Sequence, residues 1–217
     1  RLSHNVRRHI TNVLLALKPL EENGQGSNGP EYREYAQIIR KEIEKIRVFT
    51  HAFQRFSELK EYDLKMQDVI PSVDHCVNHA RIPSNVKLIR NWPDRSIEAL
   101  SEPLRFEEAL SNILNNALEA MPDGGTLQVS VKSFPGHTSP GGRLSVLIEV
   151  EDSGRGIPKD QMDEVWQLYY TTKESGTGIG LPEARKIIES MGGNIDIQSE
   201  PGMGTVVSLW LKGESDG

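Results

Sequence analysis

The sequence has 217 residues, enough for one large domain or two modest ones, and 36% of them are hydrophobic, which is sufficient for a core. Its net charge of −6 argues against nucleic acid as a partner, and its single cysteine, Cys76, excludes an internal disulfide framework. No apolar run approaches the roughly 18–20 residues of a membrane helix. Because the chain begins within a helical pattern, we expect it to be part of a longer protein, with no direct membrane contact in this segment and a cytoplasmic location.

The first 62 residues predict two amphipathic helices that form a hairpin. In each helix, apolar residues recur at spacings of three and four, which places them on one face. Residues 23–30, which lie between the helices, contain four glycine or proline residues and predict a loop. Each helix of such a hairpin buries only one side, so we expect a second copy to complete a four-helix bundle. The apolar positions are Leu2, Val6, Ile10, Val13, Leu17 and Leu20, and then Ile39, Ile43, Ile46, Phe49, Phe53 and Phe56.

Two histidines of the first helix lie on different faces. At about 100° per residue, His9 falls within the apolar face, whereas His4 falls on the opposite face. We therefore assign His9 to packing inside the bundle. On position alone, His4 is an ordinary surface histidine, so any chemical role for it needs support from other parts of the chain.

The chain after residue 62 mixes predicted helices and strands. Residues 60–67 are polar and predict a hinge, and Asp68–Ala80 predicts a helix with Pro71 in its first turn. A further short helix is predicted over Gln161–Leu168. The predicted strands are Asn85–Trp92, Thr126–Val131, its hairpin partner ending at Val150, and a closing hairpin of Asn194–Ser199 with Thr205–Leu211.

The stretch Pro103–Met121 predicts a helix with one polar and one apolar side. On a helical projection, Glu108, Asn112 and Asn116 fall within about 80° of one another. Asparagine is a poor residue for a helix interior. Its repeated use here indicates either a solvated face or a site that uses amide groups.

A strand predicted over Leu144–Val150 brings Asp152 to its end. Gly154 and Gly156 follow at alternate positions, where a backbone turns tightly or admits a ligand. A carboxylate at this point can accept a hydrogen bond from an exocyclic amino group such as that of adenine. On the motif alone, a capping or turn aspartate is an equally good interpretation.

A second glycine-rich block, Gly176, Gly178 and Gly180, directly precedes a helix predicted to begin at Pro182. Exposed N–H groups at such a turn, together with a helix N-terminus, receive phosphate oxygens. One glycine-rich segment is weak evidence, but its combination with the acidic strand end predicts a nucleotide site.

Residues 3–10, Ser-His-Asn-Val-Arg-Arg-His-Ile, resemble the phosphoacceptor box of sensor histidine kinases. Residues 112–117, 152–156 and 176–181 resemble, in the same order, the ATP-binding boxes of that family. The resemblance covers essentially the whole chain and implies an α+β fold. It implies an antiparallel helical hairpin at residues 1–62, followed at residues 63–217 by a catalytic domain with helices on a mixed sheet, of the gyrase, Hsp90 and histidine kinase type.

The resemblance implies that ATP and Mg²⁺ bind to the catalytic domain and that His4 accepts the phosphoryl group. It makes Asp152 the residue that selects adenine and Asn116 the Mg²⁺ ligand, with Asn112 supporting the phosphates or the metal. Glu108, on the same side of its helix, is a candidate proton acceptor. The segment 169–173 resembles the ATP lid, with its tyrosines in packing roles. Further ATP-binding candidates are Gly154, Gly156, Lys173, Gly176, Thr177, Gly178, Gly180, Leu181 and Thr205.

The phosphoacceptor box departs from the family pattern at three positions. Asn5 replaces the usual acidic residue, Arg8 the usual threonine or asparagine, and His9 the usual proline. Asn5 can orient the imidazole but cannot accept its proton. Because the family residue at position 8 helps to place water for dephosphorylation of the partner, we expect little or no phosphatase activity.

These interpretations predict a homodimer, formed through the hairpin, that phosphorylates His4 with ATP and passes the phosphoryl group to a response-regulator receiver domain. The chain is then a cytoplasmic protein or the cytoplasmic part of a larger sensor. Two alternatives stay open. One is a nucleotide-binding scaffold or pseudokinase, which the altered box permits, and the other is an ATP-hydrolysing conformational machine of the same fold.

Overall fold

The computed structural model describes residues 10–17, 34–43, 46, 63–134, 145–173 and 176–213. The chain divides into two compact units. The first is formed from Arg1–Leu59 with Tyr169–Ile179, and the second from Lys60–Leu168 with Gly180–Gly217. Within the described residues, no helix combines the length and the apolar character needed to cross a membrane.

The first unit contains two described helical stretches, residues 10–17 and residues 34–43. The Asn12 side-chain amide donates a hydrogen bond to Glu42 Oε2 at 3.5 Å, which joins the two stretches, and both Ala16 and Glu42 are buried. Several aliphatic side chains of these stretches are exposed instead: Ile10, Leu14, Leu15, Ile38 and Ile43.

Most of the predicted hairpin lies outside the described residues. This includes residues 1–9, and with them the phosphoacceptor candidate His4 and its neighbours Asn5, Arg8 and His9. The hairpin, its boundary at residue 62 and the face that His4 occupies therefore stay predictions.

The second unit has ten α-helices and β-strands within its described residues. In chain order they are β1 (Lys65–Asp68), α1 (Ile70–His79), β2 (Val86–Asn91), β3 (Glu98–Ser101), α2 (Pro103–Glu119), β4 (Gly125–Ser133), β5 (Val146–Asp152), α3 (Gly180–Ser190), β6 (Asn194–Glu200) and β7 (Gly204–Leu211).

Five of the strands form one mixed sheet in the order β2-β4-β5-β7-β6. Strands β2 and β4 are parallel, and the other neighbouring pairs are antiparallel. The predicted α+β class with a mixed sheet is thereby confirmed. The pairing of β5 with β7 places the end of β5 beside the start of β7, far apart in the sequence.

The hydrophobic core lies between one face of the sheet and the helices. Along β4, the alternate residues Leu127, Val129 and Val131 are buried, as the period of two in a strand requires. Helix α2 contacts both α1 and α3 and packs over β5. Its apolar side is fully buried through Phe106, Leu110, Ile113 and Leu114.

Two predictions of local structure, one of a hinge and one of a helix, were wrong. Residues 65–67, predicted as part of a hinge, and Asp68, predicted as the start of a helix, form β1, because they pair antiparallel with β3 in a separate two-stranded sheet. Gln161–Leu168 is not an α-helix. A 3₁₀ helix at Lys159–Gln161 leads into turns, and Met162, Val165 and Trp166 of these turns pack against the core.

The burial of α2 leads to a stability prediction. Phe106→Ala removes a side chain that is 0% exposed, so we expect a loss of about 3–5 kcal/mol in the free energy of unfolding. Leu104→Ala, two residues away and 73% exposed, should change it by no more than about 0.5 kcal/mol. Urea unfolding followed by circular dichroism measures both values, and similar losses in the two variants would contradict the described packing of α2.

The cysteine gives a second test of the same packing. Cys76 is buried on α1, and its burial, reinforced by the charge of Glu107, raises the pKa of the thiol, although a hydrogen bond from Ser111 opposes the shift. A raised pKa lowers the thiolate fraction at a given pH, and the thiolate is the reactive form. We expect a thiol reagent at pH 8 to label the native protein far more slowly than the urea-unfolded chain. Fast labelling of the native protein would show that α2 does not cover Cys76.

Candidate functional site

The polar side of α2 faces the start of α3. Asn112 Nδ2 donates a hydrogen bond to Glu183 Oε2 at 3.4 Å. A Cβ atom added at Gly180 would lie 3.6 Å from Asn116 Nδ2 and 3.7 Å from Asn112 Cγ. The structure therefore brings together three of the predicted site residues, Asn112, Asn116 and Gly180. Any side chain at position 180 would project into the space beside the two amides.

Glu108 lies one turn before Asn112 on the same helix. Its Oε2 accepts a hydrogen bond from Arg105 Nη1 at 2.6 Å, and the side chains of Arg105 and Glu108 are 30% and 23% exposed. The candidate proton acceptor is therefore engaged in an ion pair. Sequence reasoning missed Arg105, although its spacing of three residues from Glu108 places it on the same face.

Asp152 is the last residue of β5 and is 5% exposed. Its Oδ1 accepts a hydrogen bond from the Gly154 N–H at 2.8 Å, so the side chain shapes the turn that follows the strand. On the neighbouring strand, the residue directly opposite Asp152 is Thr205. The register of β5 and β7 thus brings together two predicted site residues.

Two glycines beside Asp152 are required by close contacts. Gly204 has φ +104°, and a Cβ atom there would overlap the main-chain oxygen of Asp152. At Gly154, a Cβ atom would lie 2.6 Å from the Ala120 carbonyl oxygen and 2.7 Å from Asp152 Oδ1. The turn after β5 therefore lies tightly between the end of α2 and the start of β7.

The other predicted glycine of this loop, Gly156, is also required by its surroundings. It has φ +68°, and a Cβ atom there would overlap the main-chain carbonyl of Glu200 at the end of β6. The neighbouring Arg155 carbonyl accepts a hydrogen bond from the Gly202 N–H at 2.8 Å. The loop after β5 is thus fixed to the β6–β7 turn.

Thr205 has a partner that sequence reasoning missed. Ser199 Oγ donates to the Gly204 carbonyl at 2.8 Å and lies 2.9 Å from Thr205 Oγ1. A serine hydroxyl has one proton, so Thr205 is the donor in the second bond, and the lone pairs of its oxygen point elsewhere as acceptors. The predicted alternation of the closing hairpin places Ser199 opposite Thr205, which was the available signal.

Helix α2 connects the two groups of residues. Asn116 and Ala120 lie four residues apart, about 6 Å along a helix axis, and the Ala120 carbonyl accepts the Arg155 N–H at 3.2 Å. Leu181, another predicted residue, is partly buried and packs against the core. Within the second unit, the residues near Asp152 and those near Gly180 thus lie along one helix.

Four predicted ATP-binding residues, Lys173, Gly176, Thr177 and Gly178, belong to the segment Tyr169–Ile179 of the first unit. This segment folds back on itself, because the Tyr169 N–H donates to the Gly178 carbonyl at 2.7 Å. Tyr169 is 8% exposed, in agreement with the predicted packing role. The nucleotide contacts of these four residues stay predictions.

The side chains beside Gly180 suit magnesium chemically. They include the side-chain amides of Asn112 and Asn116 and the carboxylate of Glu183, and Mg²⁺ prefers the hard oxygen ligands that such groups contain. Among the described residues, no group of three or more His, Cys, Asp or Glu side chains is arranged to hold a metal. These side chains are better suited to an ion that is also coordinated by substrate phosphates and water than to an ion coordinated by protein groups alone.

Comparisons with known proteins agree with this architecture. Residues 101–215 match the family model for the histidine kinase-, DNA gyrase B- and HSP90-like ATPases. Sporulation kinase E of Bacillus subtilis (strain 168) is 31% identical over 97% of this chain and 28% of its own length. The sensor histidine kinase ZraS of Escherichia coli (strain K12) is 27% identical over 97% of this chain and 44% of its own length. The chain therefore spans between a quarter and a half of these relatives.

Solved structures share the fold at lower identity. The histidine kinase ThkA, in complex with the response regulator protein TrrA, matches 97% of this chain and 59% of its own with a TM-score of 0.72 and 19% identity. Full-length ShkA in complex with AMPPNP matches 100% of this chain and 46% of its own, with a TM-score of 0.64 and 17% identity. The chain belongs to the family of histidine kinase-, DNA gyrase B- and HSP90-like ATPases and is homologous to the sensor histidine kinases.

Proposed function

We propose that this chain is the kinase part of a two-component sensor. It binds ATP with Mg²⁺, phosphorylates itself on His4 and passes the phosphoryl group to an aspartate of a response regulator. The observation that carries the proposal is the arrangement in the second unit, where Asp152 and Thr205 lie opposite each other and Asn112 and Asn116 face Gly180. The reaction consumes cytoplasmic ATP, which is the basis for a cytoplasmic location.

At the adenine end, Asp152 supplies the acceptor for the exocyclic amino group. A carboxylate can accept several hydrogen bonds at once, so the bond from Gly154 does not prevent this role. Thr205 adds a second acceptor, because its proton is used in the bond to Ser199. Gly154 and Gly156 supply the tightly folded backbone of the loop that follows the acceptor.

At the phosphate end, Asn116 is the proposed Mg²⁺ ligand, and Asn112 supports the metal or the phosphates. The N-terminus of α3 begins at Gly180, next to both amides, and its dipole favours the negative charge of the phosphates. When bound, Mg²⁺ neutralises phosphate charge and helps to orient the transferred group. The proposed roles of Lys173, Gly176, Thr177 and Gly178 as further phosphate contacts depend on the position of their segment during the reaction.

The chemical step is an in-line transfer to the His4 imidazole. A ring nitrogen forms a bond to the γ-phosphorus, the bond from that phosphorus to the bridging oxygen breaks, and ADP leaves. The imidazole proton passes to Glu108 or to water. The carboxylate of a receiver-domain aspartate then attacks the phosphorus, the bond from that phosphorus to the ring nitrogen breaks, and the ring takes back one proton from Glu108 or water to become neutral imidazole.

Dimerisation through the helices of the first unit is part of the proposal. Leu14 and Leu15 are 60% and 63% exposed, and Ile43 is 53% exposed, which leaves apolar surface for a second copy to cover. A four-helix bundle formed from two hairpins would bury these side chains.

A nucleotide-binding scaffold is the second candidate function. The altered residues Asn5, Arg8 and His9 around the acceptor histidine favour it, and so does the engagement of Glu108 with Arg105. Such a protein would bind ATP in the same way and signal through the geometry of its dimer without phosphorylation.

Asp152→Asn tests the adenine contact. The amide can still accept the Gly154 N–H but loses the charge that strengthens the bond from adenine, so we expect ATP to bind about 10- to 100-fold more weakly. The preference for ATP over GTP should fall as well. Isothermal titration calorimetry measures both, with the exposed Asp196→Asn on β6 as the control. Unchanged ATP affinity in Asp152→Asn would remove Asp152 from the site.

His4→Gln tests the phosphoacceptor. After incubation with γ-labelled ATP and Mg²⁺, wild-type protein should carry an acid-labile label, which His4→Gln should lose completely. His79→Gln, which changes an α1 histidine, should retain the label. A label that survives His4→Gln would place the acceptor elsewhere, and ATP binding without any label in the wild type would favour the scaffold.

A further inference from the structure

Glu183 is a buried carboxylate at the phosphate end of the site, and none of the sequence motifs pointed to it. It lies in the first turn of α3 and is 7% exposed. Its Oε2 accepts the hydrogen bond from Asn112 Nδ2, a partner 71 positions away in the sequence. We propose that Glu183 is a positioning residue that fixes the Asn112 amide for magnesium binding, an inference that rests on the proposed function.

The two ends of the Asn112 amide have different chemical roles. Its nitrogen only donates hydrogen bonds, and its oxygen is the atom that can bind a cation. An ionised carboxylate only accepts hydrogen bonds, so Glu183 selects the orientation in which Nδ2 faces α3. The oxygen then lies on the opposite edge of the planar amide, where it is available to a metal. Partners of this kind, which orient a ligand without touching the metal, commonly tune metal affinity.

The burial of Glu183 indicates that its hydrogen bond to α2 helps to stabilise the carboxylate. Burying a carboxylate is unfavourable unless hydrogen bonds or nearby positive charge compensate. The dipole of α3 supplies part of this compensation, since the residue lies in the first turn. Glu189, on the same helix, is by contrast a surface carboxylate. Its side chain is 48% exposed and forms an ion pair with Arg185 at 2.7 Å.

The charge of Glu183 has a second consequence for nucleotide binding. A carboxylate beside the phosphate end of the site repels the phosphate oxygens when no cation lies between the two groups. When a cation lies there, the carboxylate attracts it. Glu183 therefore makes nucleotide binding depend more strongly on magnesium. A residue that only stabilised the fold would affect binding equally with and without the metal.

The test compares Glu183→Gln with Glu189→Gln, the same substitution at an exposed position of the same helix. Glutamine keeps the size of the side chain but can both donate and accept, so it no longer selects one orientation of Asn112. Binding of a fluorescent ATP analogue to the full chain is titrated with Mg²⁺ and repeated in EDTA. We expect Glu183→Gln to need about tenfold more Mg²⁺ for half-maximal binding. Its affinity in EDTA should be equal to or higher than that of the wild type, and Glu189→Gln should match the wild type throughout.

A second readout needs no nucleotide. In the free protein, the side-chain NH₂ resonances of Asn112, assigned by their loss in Asn112→Asp, should show the downfield shift of a hydrogen bond to a carboxylate. We expect Glu183→Gln to remove this shift and Glu189→Gln to keep it.

The outcomes separate this inference from the proposed function. Equal weakening of binding with Mg²⁺ and in EDTA, together with a lower melting temperature, would give Glu183 a purely structural role and overturn the inference. An unchanged Mg²⁺ titration would overturn it as well. In both cases the nucleotide-binding part of the proposed function would stand, because the wild type binds the nucleotide. A wild type that binds no adenine nucleotide would refute the proposed function, and this inference with it.

Discussion

The burial of α2 against the sheet is the constraint on which the candidate site depends. Phe106, Leu110 and Leu114 are fully buried on its apolar side, and each such side chain contributes about 1.5–3 kcal/mol through its removal from water. These contacts fix the rotation of the helix about its own axis. Neighbouring residues of a helix point in directions about 100° apart around its axis. A rotation of α2 by this angle would turn the amides of Asn112 and Asn116 away from α3. The core therefore holds the polar side of the helix in place.

The opposite end of the site depends on backbone contacts. The start of β7 passes so close to Asp152 that a Cβ atom at Gly204 would overlap the Asp152 carbonyl. A Cβ atom at Gly154 would lie 2.6 Å from the Ala120 carbonyl oxygen at the end of α2. Because glycine has no side chain, the end of α2, the end of β5 and the start of β7 can pack closely together at these positions. The main chain of Asp152 is consequently held against β7, and its carboxylate accepts a hydrogen bond from the turn that follows the strand. In the proposed function, an acceptor fixed in this way favours one nucleobase over another, because it cannot move to fit a different base.

The parts of this arrangement that sequence reasoning predicted correctly are those with a strong local pattern. The two-sided helix over residues 103–121, the strand ending at Asp152 and the closing hairpin all follow from periodicity and turn residues. The parts that were wrong have weak local patterns and strong tertiary partners. Residues 65–68 have little intrinsic strand character and form β1 through pairing with β3. Apolar residues at 162, 165 and 166 have helical spacing, but the backbone that carries them is a series of turns.

The sequence by itself determined the family resemblance, the polar side of α2, the strand end at Asp152 and the glycine turns, because each is encoded by neighbouring residues. Tertiary structure decided which of these groups meet. The register of β5 against β7 places Thr205 opposite Asp152. Ser199, on β6, forms a hydrogen bond with the Thr205 hydroxyl. The packing of α3 on α2 brings Glu183 to Asn112. Such contacts join residues that are distant in the chain, and they depend on strand register and helix rotation, which no local pattern specifies.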